Sequence, residues 1–102
     1  MKMYRRELID ALQNKSEEIT GYRWSKADCG NLIDIFTQTI KESMAQGKEP
    51  KLLNFGEFTF RTVAAHDITH PETKEIIHLP DMQFPFFKPC EELKEICKEV
   101  KL

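Results

Sequence analysis

Apolar positions recur at helical spacing through the first half of this chain and at a spacing of two through much of the second. Leu8, Ile9, Ala11 and Leu12 form one stripe, with Arg5, Arg6, Asp10 and Gln13 on other faces. That pattern predicts an amphipathic helix from Tyr4 to about Asn14. The stretch Lys15–Trp24 is ambiguous. Gly21 marks a stop or turn, yet Ile19, Tyr22 and Trp24 are apolar enough to pack. Ser25 opens S-K-A-D, a capping box with Asp at its fourth position, and Trp24 stands where a hydrophobic staple residue would. A longer helix is expected from there to about Ala45. Its stripe of Leu32, Ile33, Ile35, Phe36, Thr39, Ile40 and Met44 is wider than one packing partner needs. Such a helix sits centrally in its fold or pairs with another chain. Gly47 supplies its stop, and Pro50 blocks any resumption.

From Lys51 the period changes. Leu53, Phe55, Glu57 and Thr59 alternate with Leu52, Asn54, Gly56, Phe58 and Phe60, and Asn54-Phe55-Gly56-Glu57 carries a tight-turn signal between two short strands. Thr59 to Ala65 continues as a strand. His66 to Lys74 gathers turn formers around Pro71, and Glu75 to Leu79 is extended enough to pair back antiparallel. Pro80 and Asp81 break it. Gln83 to Phe87 is a further strand, an edge or a bulge because Pro85 lies inside it. Pro89 suits the first turn of a last helix reaching about Val100, with Glu91 and Glu92 near its start and Lys98 and Lys101 near its end. The organisation expected is one domain of 1–102: a helical base over 1–47, a three-stranded antiparallel sheet with a protruding β-arm over 48–88 (the arm at about 62–79), and a C-terminal helix over 89–102.

A length of 102 residues limits the core that one chain can bury, and an arm projecting from it limits that core further. Association with a second chain is the natural remedy. No apolar run approaches a membrane span, and no apolar leader follows the basic N-terminus, so a cytoplasmic location is expected. Cys29, Cys90 and Cys97 form no C-x-x-C pair and read as reduced thiols. The formal net charge is −2. A domain devoted to nucleic acid is usually basic, so any such role requires cations segregated on one face. No G-x-S-x-G, H-E-x-x-H or phosphate-loop pattern occurs, which points away from an enzyme. No cofactor, metal or small-molecule substrate is expected. His66 and His70, four apart on an extended segment, are too far from one another to chelate one ion.

Several segments together resemble one family. N-F-G-E-F-T-F-R, Asn54 to Arg61, resembles the G-F-G-x-F-x-x-R core of the bacterial HU/IHF histone-like DNA-binding proteins. T-H-P-E-T-K, Thr69 to Lys74, resembles that family's R-N-P-x-T-G arm tip. P-F-F-K-P-C-E-E-L-K, Pro85 to Lys94, resembles its P-x-F-K-x-G-K-x-L-K segment, and L-I-D-A-L, Leu8 to Leu12, its first helix. The resemblance implies an α+β fold, an intertwined dimer with two N-terminal helices, the armed sheet and a C-terminal helix. Phe55, Phe58 and Phe87 match aromatics of the family's dimer core, with Phe36 and Ile40 of the wide stripe assigned to it as well. It further implies double-stranded DNA as partner, with arms reaching through the minor groove and Pro71 as the wedge. The implied contact set is Arg61, His66, His70, Pro71, Lys74, His78 and Lys88, with Arg5 and Lys26, beside Lys2 and Arg6, holding the flanking backbone.

The chain departs from the family mainly on the arm. Val63, His66, Thr69 and His78 stand at positions the family fills with cations, and His70 replaces the Asn before the proline. From Arg61 to Pro80 two cations face three carboxylates. Phosphate neutralisation supplies most non-specific affinity, so weakened or histidine-dependent binding is expected. The reading is an architectural protein that binds and bends DNA as a homodimer, or as a heterodimer with a paralogue. The alternative is the same scaffold used as a protein-interaction module, or as the acidic subunit of a heterodimer.

Overall fold

In the computed structural model, which describes residues 1–102, the first helix, α1, spans Arg5–Thr20. It runs past Asn14 because its continuation is held by polar groups rather than an apolar stripe. Ser16 Oγ donates to the Gln13 carbonyl at 2.7 Å and accepts the Trp24 backbone N–H at 3.0 Å. Gln13 Nε2 donates to the Trp24 carbonyl at 3.0 Å. Gln13 and Ser16 are both buried, and these bonds satisfy them while tying the following connection to the helix. The helix stops at Gly21, whose φ of 76° places it in the left-handed region and whose N–H returns to the Glu17 carbonyl.

The second helix, α2, spans Lys26–Ala45. Ser25 Oγ accepts the Asp28 N–H at 3.0 Å, the forward half of the expected capping box. The two helices approach closely at Gly30, where an added Cβ would lie 3.3 Å from an Arg5 guanidinium nitrogen and 3.7 Å from Ile9. Cys29 beside it is the one fully buried hydrophobic side chain of the chain. Leu8, Leu32, Ile35 and Phe36 remain exposed. The helical unit, Met1–Ser43 with Lys101–Leu102, therefore leaves part of its apolar stripe exposed.

The second compact unit, Met44–Val100, holds the sheet, the arm and the last helix. Strands β1 (Lys51–Leu52), β2 (Gly56–Val63) and β5 (Met82–Pro89) form an antiparallel sheet in the order β1-β2-β5. The β1–β2 turn is made by Leu53, Asn54 and Phe55, with Asn54 at φ 62°. Strands β2 and β5 pair in continuous register from Gly56 opposite Pro89 to Val63 opposite Met82. Pro85 thus sits on an edge strand without a bulge, since its missing N–H faces no partner there. Beyond Val63, the Ala65 N–H is held by the Asp81 carboxylate at 2.5 Å. The chain then leaves as a separate two-stranded arm, β3 (His66–Thr69) with β4 (Ile76–Leu79).

The last helix, α3, is shorter than the pattern suggested and covers Glu91–Cys97. Pro89 does not open it but closes β5 opposite Gly56. Cys90 is the N-cap, its Sγ accepting the Leu93 N–H at 3.4 Å. The strand keeps Pro89 extended, so the helix begins only after the thiol cap. Lys98 and Lys101 fall outside it.

Candidate nucleic-acid interface

At the tip of the arm the backbone closes on itself, with His70 N–H donating to the Glu75 carbonyl at 2.8 Å and Lys74 N–H to the His70 carbonyl at 3.0 Å. Inside this turn His70 Nδ1 accepts two backbone N–H groups, Glu72 at 3.2 Å and Thr73 at 3.3 Å. The ring thereby does what a short Asn side chain does in an Asx turn. It also fixes the tautomer: Nδ1 is an acceptor, so the ring proton of neutral His70 sits on Nε2. Pro71 stands exposed at the apex of this braced turn. Lys74 follows at φ 63°, left-handed backbone that glycine adopts without strain. That conformation explains why a Gly stands there in the arm-tip pattern Thr69–Lys74 resembles.

Along the stem, Asp67 lies directly opposite His78, and His78 Nδ1 donates to its carboxylate at 2.5 Å. His78 and His70 therefore carry their ring protons on different nitrogens. His66 Nδ1 donates to the Ala64 carbonyl at 3.0 Å, and His66 lies opposite Leu79. Opposed residues share a face, so His66 and His78 point to opposite sides of the ribbon. The three histidines are not brought together. One face of the arm carries Ile68, Ile77 and Leu79 with His66; the other carries Asp67 with His78 and Thr69 with Ile76.

The expected cations fare unequally. Lys26, Lys74 and Lys88 are exposed and make no ion pair. Arg61 lies over the Phe86 ring, its guanidinium carbon 4.3 Å from the centroid. Arg5 is not the free cation its position suggests. It grips the Asp34 carboxylate at 2.8 and 3.1 Å and donates to the Gly30 carbonyl at 3.2 Å. The hydrogen bond from Arg5 holds the Asp34 carboxyl below the usual carboxylate range.

Three of the aromatics assigned to the dimer core meet within the one chain. Phe87 lies between Phe55 and Phe58, with centroids 5.3 and 5.1 Å away, while Phe36 and Ile40 belong to α2. Two aromatics that the sequence pattern did not single out, Phe84 and Phe86, stand on the opposite, exposed face of the sheet. The only signal for them was their alternation with Pro85 and Phe87.

A β-arm tipped by a braced proline, on a small sheet in a chain that begins with two helices, defines a class of architectural nucleic-acid binders. The model of the family described as bacterial DNA-binding protein matches residues 3–98, and the chain belongs to that family. It is 33% identical over 96 residues to the DNA-binding protein HU of Thermotoga maritima, covering 94% of this chain and all of that one. It is 30% identical over 93 residues to the DNA-binding protein HU of Clostridium pasteurianum, covering 91% and 96%. In fold it is similar to Anabaena HU from a cocrystal with DNA, with a TM-score of 0.78 at 24% identity over 96% of this chain and 100% of that one. A mutant HU from Thermotoga maritima aligns with a TM-score of 0.63 at 26% identity, over 92% and 97% of the two chains.

Proposed function

We propose that this protein is an architectural DNA-binding protein that grips and bends duplex DNA through the minor groove as a dimer. The observation that carries this is the braced arm tip, with Pro71 at the apex of a turn that His70 holds from inside. An apolar wedge must be rigid to prise apart a base step, because unstacking costs a few kcal/mol. Arg61, Lys74 and Lys88 supply phosphate or groove-edge contacts from the same unit, with His66 and His78 on the arm flanks, and Lys26 supplies one from the helical unit. Membership of the bacterial DNA-binding family supports this reading over a protein-interaction module. That family is not an enzyme family, and the protein acts by binding alone.

Dimerisation follows from the uncovered stripe. Leu8, Leu32, Ile35 and Phe36 are too many large apolar groups to leave in water on so small a unit. A second chain covers them, and Phe55, 44% exposed, joins that core. No helix is long and apolar enough to cross a membrane, and the place that fits a DNA-bending dimer is the bacterial nucleoid in the cytoplasm.

The test is a gel-shift titration combined with end-to-end energy transfer on a labelled duplex, at low salt. Binding with shortening of the end-to-end distance is expected, and Pro71→Ala should keep part of the binding while losing most of the bend. Failure to bind intact, nicked and pre-bent duplexes alike would sink the reading. Affinity should fall only gently with salt, by about 0.9 log units per log unit for each phosphate neutralised, because the arm has few cations.

A further inference from the structure

Side chains of β2 and β5 alternate between two faces, and the register assigns them. One face carries Phe58, Phe60, Pro85 and Phe87 and belongs to the aromatic cluster. The other carries Thr59 opposite Phe86, Arg61 opposite Phe84, and the row Lys51–Glu57–Lys88 across all three strands. On this second face Phe84 is 46% exposed and Phe86 39% exposed, and neither meets another aromatic ring. Arg61 makes no ion pair and lies on Phe86 instead, its plane available to a further ring. The cations Lys51, Arg61 and Lys88 outnumber the carboxylates of the face, Glu57 and the Glu49 that accepts the Thr59 hydroxyl at 3.0 Å.

We infer that this face is a stacking platform for unpaired nucleobases, with Phe84 taking one base and the Arg61–Phe86 pair taking its neighbour. The inference rests on the proposed DNA binding and names a second substrate feature for it: a short single-stranded tract, as at a gap in a duplex. Exposed aromatic rings interleaved with cations on an open sheet bind single strands because every base has a π-face. A paired base does not offer that face. Its neighbours in the stack cover both sides, and only base edges line the grooves. Phe84 and Phe86 are two residues apart on one strand, roughly 7 Å, or two nucleotide rises of about 3.4 Å. Adjacent bases reach the two rings once the strand between them is unstacked and drawn out to about twice that rise. The cations then meet the phosphates that flank them.

The full-length protein is titrated, at one low salt concentration, with an intact duplex, a nicked duplex, a duplex with a short thymidine gap, and single-stranded thymidine oligonucleotide. The nicked duplex is interrupted but has no unpaired base, and the Leu variants below separate base stacking from the greater flexibility of the gap. Wild type should favour the gapped duplex over the nicked one. Phe84→Leu and Phe86→Leu keep the apolar bulk and remove the π-face. Each should lower affinity for the gapped duplex and the single strand about tenfold, and Phe84→Leu, which keeps the Arg61–Phe86 contact, should leave intact and nicked duplexes unchanged. Crosslinking of wild type to 5-iodouracil in the gap, which needs no variant, should map to the peptide carrying Phe84 and Phe86. Equal wild-type affinity for gapped and nicked duplexes, a gap preference that survives both Leu variants, or crosslinks elsewhere overturns the platform. In those cases duplex binding still stands, whereas loss of the architectural reading shows as failure on intact and nicked duplexes.

Discussion

Gly56 faces Phe87 so closely that a Cβ built on it would sit 2.6 Å from the ring and 2.6 Å from the Lys88 carbonyl oxygen. The ring can tilt, but the carbonyl belongs to the β2–β5 ladder and cannot. Gly56→Ala should therefore destabilise the protein by about 2 kcal/mol, read as a lower urea midpoint at fixed protein concentration. Adding Phe87→Leu should recover only part of the loss. Full recovery would show that the ring, and not the backbone, sets the limit.

Arg5 and Asp34 make the acid limb of stability testable. Asp34 ionises more easily in the folded protein than in the unfolded chain. Its contribution is therefore present above the unfolded carboxyl's range and is lost as pH falls through the lowered folded value. Both side chains are more than half exposed, so the effect is small and screened by salt. Asp34→Asn should flatten the acid limb in urea midpoints measured across pH. The same variant frees Arg5, and the salt slope of DNA binding should steepen by up to about 0.9. An unchanged acid limb would show that the pair does not persist in solution.

His70 should behave as an acceptor. Nitrogen NMR of the neutral protein should show Nε2–H for His70 and Nδ1–H for His78. His70→Asn should preserve the tip, since an amide oxygen accepts the same two N–H groups, whereas His70→Ala should expose the Glu72 and Thr73 amides to exchange about fivefold faster, the equivalent of about 1 kcal/mol. An Nδ1–H tautomer at His70 would refute the brace.

Lys74 pays for its left-handed backbone, and glycine would not. Lys74→Gly should slow hydrogen exchange at Ile68 and Ile77 by the equivalent of about 1 kcal/mol, while DNA affinity falls with the lost tip cation. Stability and affinity moving in the same direction would contradict one of these two roles.

Much of the fold was legible because its signals are local. The helical stripe, the Ser25 cap, the stops at Gly21 and Gly47 and the period-two strands each depend on residues a few positions apart. The extension of α1 to Thr20 was hidden because its support comes from Gln13 and Ser16 reaching Trp24 across a turn, which leaves no hydrophobic period. The start of α3 was misplaced because Pro89 suits both a helix start and a strand end, and the pairing with Gly56 chose the strand. At the candidate site, Pro71, His70 and Lys74 stood out from the motif, but what His70 does there did not.

The sequence by itself determined the order and kind of the elements, the family, and an arm poorer in cations than its relatives' pattern. Periodicity and turn chemistry act over a few residues and survive without a partner. Tertiary structure decided which charged groups are free and which are taken, for Arg5 finds Asp34 twenty-nine positions away. It also decided that Phe58 and Phe87 turn inward while Phe84 and Phe86 stay outside, with Arg61 lying on one of them. Alternation says only that neighbouring side chains part. The pairing of β2 with β5, and the face that pairing presents to solvent, say which way each one goes.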